Sequence, residues 1–448
     1  MNGLSTDIFK RGRLRGTIHV PGDKSITHRA VIFASLADGP SEVIGYLPSD
    51  DCLRTVDAFR AMGIAISAGV SNGVPTLHVE GKGLWGLSEP KEVINCGNSG
   101  TTLRLLTGLL AGQSFFSVLT GDASLRSRPM RRVVEPLRLM GGEILGRSGG
   151  NLAPLAISGK KLTAVDHRLT IASAQVKSAI LLAGLTASGV TTLSEPSRSR
   201  DHTERMLRTL GVKFAEKEGQ LSIVGGASYL GKRIEVPGDL SSAAFFLVAG
   251  SIVEGSEITL QRVGVNPTRT GLLEVLKKMG AEITVTPSDP LGNEPVADLT
   301  VRSASLHGTV IRGELIPRMI DEFPILCIAA AAAEGETLIR DAQELRVKES
   351  DRIAVMAKAL KGMGVVVEEF PDGIRIEGKK GWKGTACETR RDHRVAMAMT
   401  VAGLLTEEGN LIDDIACIDT SFPGFLDRLS SLTEASPAAG HHPTMGGG

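Results

Sequence analysis

The residues of this chain best suited to chemistry are mostly basic, and they stand where helix-like stretches begin. Lys24, Ser25 and Arg29 fall in the run Asp23-Lys24-Ser25-Ile26-Thr27-His28-Arg29. Gly100 and Arg104 follow Asn98-Ser99, Arg126 and Arg128 precede Pro129, and Ser173-Ala174-Gln175 open another stretch. Arg198 and Arg200 stand before Asp201-His202, while Arg346, Lys348, Glu349 and Arg352 share one short run. Arg390 to Arg394 hold a further cluster, and Asp321-Glu322 introduce an apolar run. A guanidinium grips carboxylate or phosphate through parallel N–H bonds, and a lysine adds a point charge. A helix entrance adds unpaired backbone N–H groups that attract anions. Converging loops that carry Lys24, Arg29, Arg128, Arg200, Lys348, Arg352 and Arg394 therefore suit substrates with several negative charges. Asp321 and Glu349, embedded among these cations, are candidates for moving a proton.

Taken singly, each feature has a bland explanation. One Ser/Thr/Gly entrance is usually a helix cap, and one basic cluster is usually a solvated face. His28, His202 and His393 read as hydrogen-bonded structural residues. Recurrence at equivalent positions is what argues for a site. Several other classes are excluded or disfavoured. No GxxxxGK[ST] occurs and no GxGxxG follows a strand, so nucleotide binding is not indicated. Lys plus Arg and Asp plus Glu both total 50, so no global field favours nucleic acid, a membrane or an acidic partner. The cysteines (Cys52, Cys96, Cys327, Cys387, Cys417) are scattered and odd in number, which argues against a disulfide framework and for a cytoplasmic location. No Cys/His spacing suits zinc, so no metal is expected. No apolar signal segment is evident near the start, and the run from Ile325 to Ala333 is too short to span a bilayer.

The elements that must position these residues repeat. A loop followed by an Ala/Leu-rich helix ending near Gly occurs at 24–39, 95–112, 173–189, 236–255, 321–335 and 392–409. The spacing of roughly 65–85 residues is that of a small βαβ-type module rather than a solenoid repeat. Within most units an amphipathic helix follows (54–66, 131–144, 202–214, 271–283, 353–367), reaching Gly and then a short alternating strand. The first helix of each unit is apolar nearly all round, which predicts burial at the centre of a domain. Val20-Pro21-Gly22-Asp23 and Val236-Pro237-Gly238-Asp239 repeat one phrase at the starts of units one and four. The charged groups Lys24 and Arg29 follow only the first copy. The phrases mark two crossings between domains: 22–237 would hold repeats one to three, and 1–21 plus 238–432 would hold repeats four to six. Residues 433–448, rich in Ala, Pro, Gly and His, read as a disordered tail.

In their order, PGDKSITHR, GNSGTTLRLL, GDASLRSRPM, SAQVKSAIL, RVKESDRI, DHRVAMA and TSFP resemble 5-enolpyruvylshikimate-3-phosphate synthases, from about Gly16 to about Leu429. Arg200-Asp201-His202-Thr203-Glu204 and Asn266-Pro267-Thr268-Arg269 look like the bacterial subgroup called class II. The resemblance implies an α/β fold in two inside-out barrel domains, with six βαβαββ repeats, three per domain. It implies transfer of the enolpyruvyl group of phosphoenolpyruvate to the 5-hydroxyl of shikimate 3-phosphate, with release of phosphate and no metal or organic cofactor. By the same resemblance, Lys24, Ser25, Arg29, Ser173, Ala174, Gln175, Arg200, Asp321 and Lys348 would hold shikimate 3-phosphate. Lys24, Gly100, Arg128, Gln175, Arg352 and Arg394 would hold phosphoenolpyruvate. Asp321 would take the hydroxyl proton, and Glu349 with Lys24 would protonate the methylene carbon. Glyphosate would compete with phosphoenolpyruvate, and the enzyme would be a cytoplasmic monomer. One departure stands out: many members carry a Lys just before the late TFP motif, and here Thr420 and Ser421 precede Phe422-Pro423. Arg391 is a local cation that could replace it. Two rivals remain: the related transferase acting on UDP-N-acetylglucosamine, and a non-catalytic module binding phosphorylated metabolites or RNA ends.

Overall fold

The computed structural model describes residues 4–5, 12–406 and 408–433. The six apolar stretches form helices Lys24–Ser35, Gly100–Ala111, Ala174–Thr186, Leu240–Ile252, Phe323–Ala332 and His393–Gly403. Nearly every residue of these helices is buried, as their all-round apolar character predicts. They end before the glycines taken as their limits. The first stops at Ser35, and Gly39 lies inside the next strand, Asp38–Ile44. Second helices occupy Asp50–Ala61, Arg131–Leu139, His202–Leu210, Gly271–Lys278 and Arg352–Gly362, with glycines at or just past their caps. The first of these begins at Asp50, ahead of the expected 54. A sixth, Phe425–Leu432, completes the repeat and escaped sequence analysis.

Each unit builds one small mixed sheet. In units two, three, five and six the strand before the buried helix runs parallel to the strand after it, and an antiparallel hairpin follows in the first three of these. Units one and four exchange their opening strands. Arg15–Ile18, which leads into helix Lys24–Ser35, pairs in parallel with Glu257–Gly264 of unit four. Arg233–Glu235, which leads into helix Leu240–Ile252, pairs in parallel with Asp38–Ile44 of unit one. The repeated phrase therefore follows the two exchanged strands. Its copies lie side by side: Gly22 bridges Gly238, Asp23 N–H donates to Pro237 O at 2.8 Å, and Asp239 N–H donates to Pro21 O at 2.8 Å. Glycine is required at 22 because a Cβ there would come within 1.9 Å of the Gly45 carbonyl oxygen.

Two buried apolar clusters result. One draws on residues between Ile26 and Val236, the other on Leu14, Val20 and residues from Leu240 to Leu432. Aromatic packing is concentrated in the second, where Phe245, Phe246, Phe422 and Phe425 stack edge to face or tilted. Thr433 forms a backbone bridge with Leu14, and the rest of the stretch read as a tail lies outside the described residues. No helix among the described residues is long and apolar enough to cross a membrane.

Candidate active site

The entrances of the buried helices turn towards one another around a cavity of about 460 Å3. Lys24, Ser25, Arg29, Gly100, Arg128, Ser173, Ala174, Gln175, Arg200, Asp321, Lys348, Glu349 and Arg394 all line it. The geometry at each entrance follows from local sequence. Asp23, Ser99, Ser173 and Asp392 cap their helices through side-chain oxygens, so Lys24, Gly100, Ala174 and His393 each begin a helix. Asp321 sits in the single tight turn Ile320–Glu322 that feeds helix Phe323–Ala332.

Two carboxylates dominate the electrostatics. Asp321 accepts from Arg200 Nη2 at 2.6 Å and Arg352 Nη1 at 3.4 Å, with Lys348 Nζ at 3.5 Å. Glu349 accepts from Arg352 Nη2 at 2.7 Å and lies 3.6 Å from Arg128 Nη1. Burial opposes the ionisation of both. For Asp321 it is outweighed by Lys348, Arg200, Arg394 and Arg352, which hold the carboxyl well below its usual range. For Glu349 it is outweighed by Arg352 and Arg128 first and then by Lys348, with the same result. Lys24 donates to Asp51 Oδ2 at 3.0 Å. Burial pulls its pKa down, but Asp51 and Glu349 hold it above the usual value against the repulsion of Arg394.

The cations themselves are crowded. Burial and the neighbouring Arg132 and Arg128 lower Arg104 to about 9. Arg29 falls to about 10, chiefly through burial. An anion entering the cavity relieves this repulsion, so the cleft is built to favour negative ligands. His28 and His393 are driven well below the ordinary histidine range by burial first and then by nearby cations, and they stay neutral. His28 Nδ1 shares a hydrogen with Thr55 Oγ1 at 2.7 Å and His202 Nδ1 meets Glu294 Oε1 at 2.8 Å, as expected of hydrogen-bonded structural residues, whereas the buried Nε2 of His393 has no hydrogen-bond partner.

Arg352 departs from the expected picture of a cavity-lining ligand. It is 1% exposed and lies behind the wall, bonded to Asp392 at 2.9 Å as well as to both carboxylates. Arg29 likewise spends its guanidinium on Thr203, Ser178 and the Ser25 carbonyl. Gln175 is fixed at both ends, accepting from Arg104 at 2.6 Å and donating to Thr101 at 3.0 Å. Arg391 does not fill the place left by Thr420: it is 85% exposed and pairs with Asp414 at 3.6 Å.

Sequence reasoning passed over Asp51, which looks like an ordinary acidic residue in a helix first turn. It also missed Glu344, which accepts from Arg132 across the cleft at 3.2 Å. Neither carries a local signal, because each is defined by a partner distant in the chain. No group of His, Cys, Asp and Glu among the described residues has the arrangement of a metal site.

A duplicated α/β scaffold, with six helix entrances facing a cation-lined cleft, is the fold of the enolpyruvyl transferases. The enolpyruvyl transferase NikO from Streptomyces tendae has this fold, with a TM-score of 0.74 over 94% of this chain and 96% of that one at 17% identity. The EPSP synthase (3-phosphoshikimate 1-carboxyvinyltransferase) family model matches residues 8–429, and the chain belongs to that family. The 3-phosphoshikimate 1-carboxyvinyltransferase of Pelotomaculum thermopropionicum is 54% identical over 96% of this chain and 99% of its own length. That of Citrifermentans bemidjiense is 53% identical over 94% and 97%. The EPSP synthase of Acinetobacter baumannii superposes with a TM-score of 0.84 at 46% identity, covering 94% of this chain and 96% of the other.

Proposed function

We propose that the chain transfers the enolpyruvyl group of phosphoenolpyruvate to the 5-hydroxyl of shikimate 3-phosphate and releases phosphate. The observation that carries the assignment of roles is the pairing of Asp321 and Glu349 with shared and opposed cations. Arg352 contacts both, while Arg200 and Arg128 reach them from the other side of the cleft. Such a site can hold two polyanionic substrates together and still retain a base and an acid.

In this reading Ser25, Arg29, Ser173, Ala174, Gln175, Arg200 and Lys348 hold shikimate 3-phosphate. Gly100, Arg128, Gln175 and Arg394 hold phosphoenolpyruvate, Lys24 serves both, and Arg352 acts from behind the wall by orienting Asp321 and Glu349. Asp321, ionised, accepts the 5-hydroxyl proton as that oxygen bonds to C2 of phosphoenolpyruvate. Glu349 with Lys24 delivers a proton to the methylene carbon, giving a tetrahedral intermediate. Loss of the phosphate group and of one methyl proton then restores the double bond on the new ether. Glu349 is ionised without substrate, so the charge needed for its acid role must come with the ligands. Their phosphate and carboxylate groups engage Arg128 and Lys348, weaken the hold of those cations on Glu349 and raise its pKa. Residues 22–237 and 1–21 with 238–432 act as the two domains that meet over the substrates, and glyphosate occupies the phosphoenolpyruvate subsite.

The test is phosphate release by purified protein supplied with both substrates, with either alone, and with UDP-N-acetylglucosamine as alternative acceptor. Turnover is expected only with shikimate 3-phosphate plus phosphoenolpyruvate. Absence of turnover with that pair overturns the reading.

A further inference from the structure

We propose that Arg269 is a positioning residue for this reaction, fixing the two chain crossings against each other and thereby setting where Lys24 stands relative to Asp321. The inference rests on the functional reading above. Arg269 is 3% exposed and sits where the two Val-Pro-Gly-Asp segments run side by side. Its guanidinium reaches groups from three separate parts of the chain. Nη1 donates to Asp23 Oδ2 at 3.3 Å. Nη2 donates to Asp239 Oδ1 at 3.2 Å and to Ser241 Oγ at 2.6 Å, and it lies 3.7 Å from Glu322 Oε1. Ser241 Oγ in turn donates to Glu322.

Each of these groups adjoins a working element. Asp23 caps the helix that Lys24 begins: its Oδ1 accepts from Ile26 N–H at 2.9 Å, leaving Oδ2 for Arg269. Asp239 caps the equivalent helix of the other crossing, accepting from Ser241 N–H at 2.8 Å. Glu322 directly follows Asp321 in the same turn. Arg269 is itself held by Asn266, whose carbonyl accepts from Arg269 N–H at 2.8 Å and whose side-chain amide donates to Asp201 at 2.6 Å, next to Arg200. One planar cation thus ties the turn bearing Lys24 to the turn bearing Asp321. A lysine could satisfy the charge but not the fork of contacts. Because a misplacement of about 1 Å can cost up to ~100-fold in rate, the effect belongs in kcat rather than in first binding of substrate.

The experiment compares Arg269→Lys, Arg269→Gln and the milder Ser241→Ala with the parent protein. Phosphate release is measured well below each melting temperature, and shikimate 3-phosphate affinity is measured separately by calorimetry. Both Arg269 variants are expected to lose at least ~10-fold in kcat while the affinity stays within about threefold. Ser241→Ala is expected to lose roughly threefold in kcat with affinity unchanged. The acid limb of kcat/KM is expected to move to higher pH in Arg269→Gln and to stay put in Arg269→Lys. Asp321 faces Arg200, Lys348, Arg352 and Arg394 as well as Arg269, and only the Gln variant removes one of these charges. Folded variants with kcat within twofold of the parent overturn the proposal. If the Arg269 variants fail to fold, an unchanged kcat in Ser241→Ala overturns it and a reduced one supports it. A parent that releases no phosphate from the substrate pair sinks the functional reading instead.

Discussion

Arg200 and Asp321 are 121 positions apart in the chain, yet Arg200 Nη2 donates to Asp321 Oδ2 at 2.6 Å across the cleft. The contact joins a loop of the third repeat to the entrance turn of the fifth. It places the proposed base under a guanidinium that the acceptor substrate's own charge must share. With Arg128–Glu349 and Arg132–Glu344 it forms a set of cross-cleft pairs that substrates must enter among.

The proton-donor role proposed for Glu349 makes a kinetic prediction. Glu349→Gln keeps the shape and the contact with Arg352 but has no proton to give. Its kcat is expected to fall by at least ~100-fold with both substrates saturating. A near-normal kcat removes Glu349 from that role. In the parent, binding of phosphoenolpyruvate to the complex with shikimate 3-phosphate should take up protons, seen as a buffer-dependent binding enthalpy.

Acid should destabilise the protein through the same two carboxylates. Both have folded pKa values below their ordinary ones of 3.8 and 4.5. The stability they contribute is therefore present above pH ~4.5 and is lost as pH falls through the folded values. Melting temperature measured from pH 7 downwards should drop more steeply in the parent than in Asp321→Asn. Equal slopes would show that Asp321 is not held ionised by its cations.

Gly100 controls space in the proposed phosphoenolpyruvate subsite. A Cβ at this position would lie 2.9 Å from Arg104 Nη1 and 3.4 Å from Arg128 Nη1. The added methyl group must push the Arg104 guanidinium, which also holds Gln175. Gly100→Ala is expected to weaken glyphosate inhibition by at least ~10-fold and to raise KM for phosphoenolpyruvate, a loss of ~1.4 kcal/mol or more in inhibitor binding. Inhibition kinetics with phosphoenolpyruvate varied decide it, and an unchanged inhibition constant refutes the steric account.

Lys177 provides a prediction about stability. It is 1% exposed and bridges Glu204 at 2.7 Å and Glu195 at 2.8 Å behind the loop that carries Arg200. Burial favours the neutral lysine, but the two carboxylates overcome it and keep the ammonium charged. Lys177→Met would leave both acids without their cation, a loss of about 3–5 kcal/mol in denaturant unfolding. Adding Glu204→Gln should recover part of that loss. A single variant within 1 kcal/mol of the parent would contradict this, that margin being the about 1 kcal/mol expected of exposed pairs.

Much of the molecule is legible in the chain alone, because it depends on local composition. The six apolar helices, the amphipathic helices after five of them and the equivalence of the two Val-Pro-Gly-Asp segments follow from periodicity and repeated phrases. The candidate site residues are visible by type, since Lys, Arg, Asp and Glu at helix entrances stand out against a chain of balanced charge. What only the tertiary structure decided is who pairs with whom. The repeated phrase marks where the chain crosses, but the strand partners and their register, set across 242 positions for Arg15 with Glu257 and 191 for Glu42 with Arg233, carry no local signal. Asp51 became the partner of Lys24, Arg352 moved behind the wall to hold both carboxylates, and Arg269 closed the gap between the crossings. The protonation states of Asp321 and Glu349 follow from those neighbours. Coulomb energies depend on distances of a few ångströms in a poorly screened cleft, and only the packed fold sets those distances.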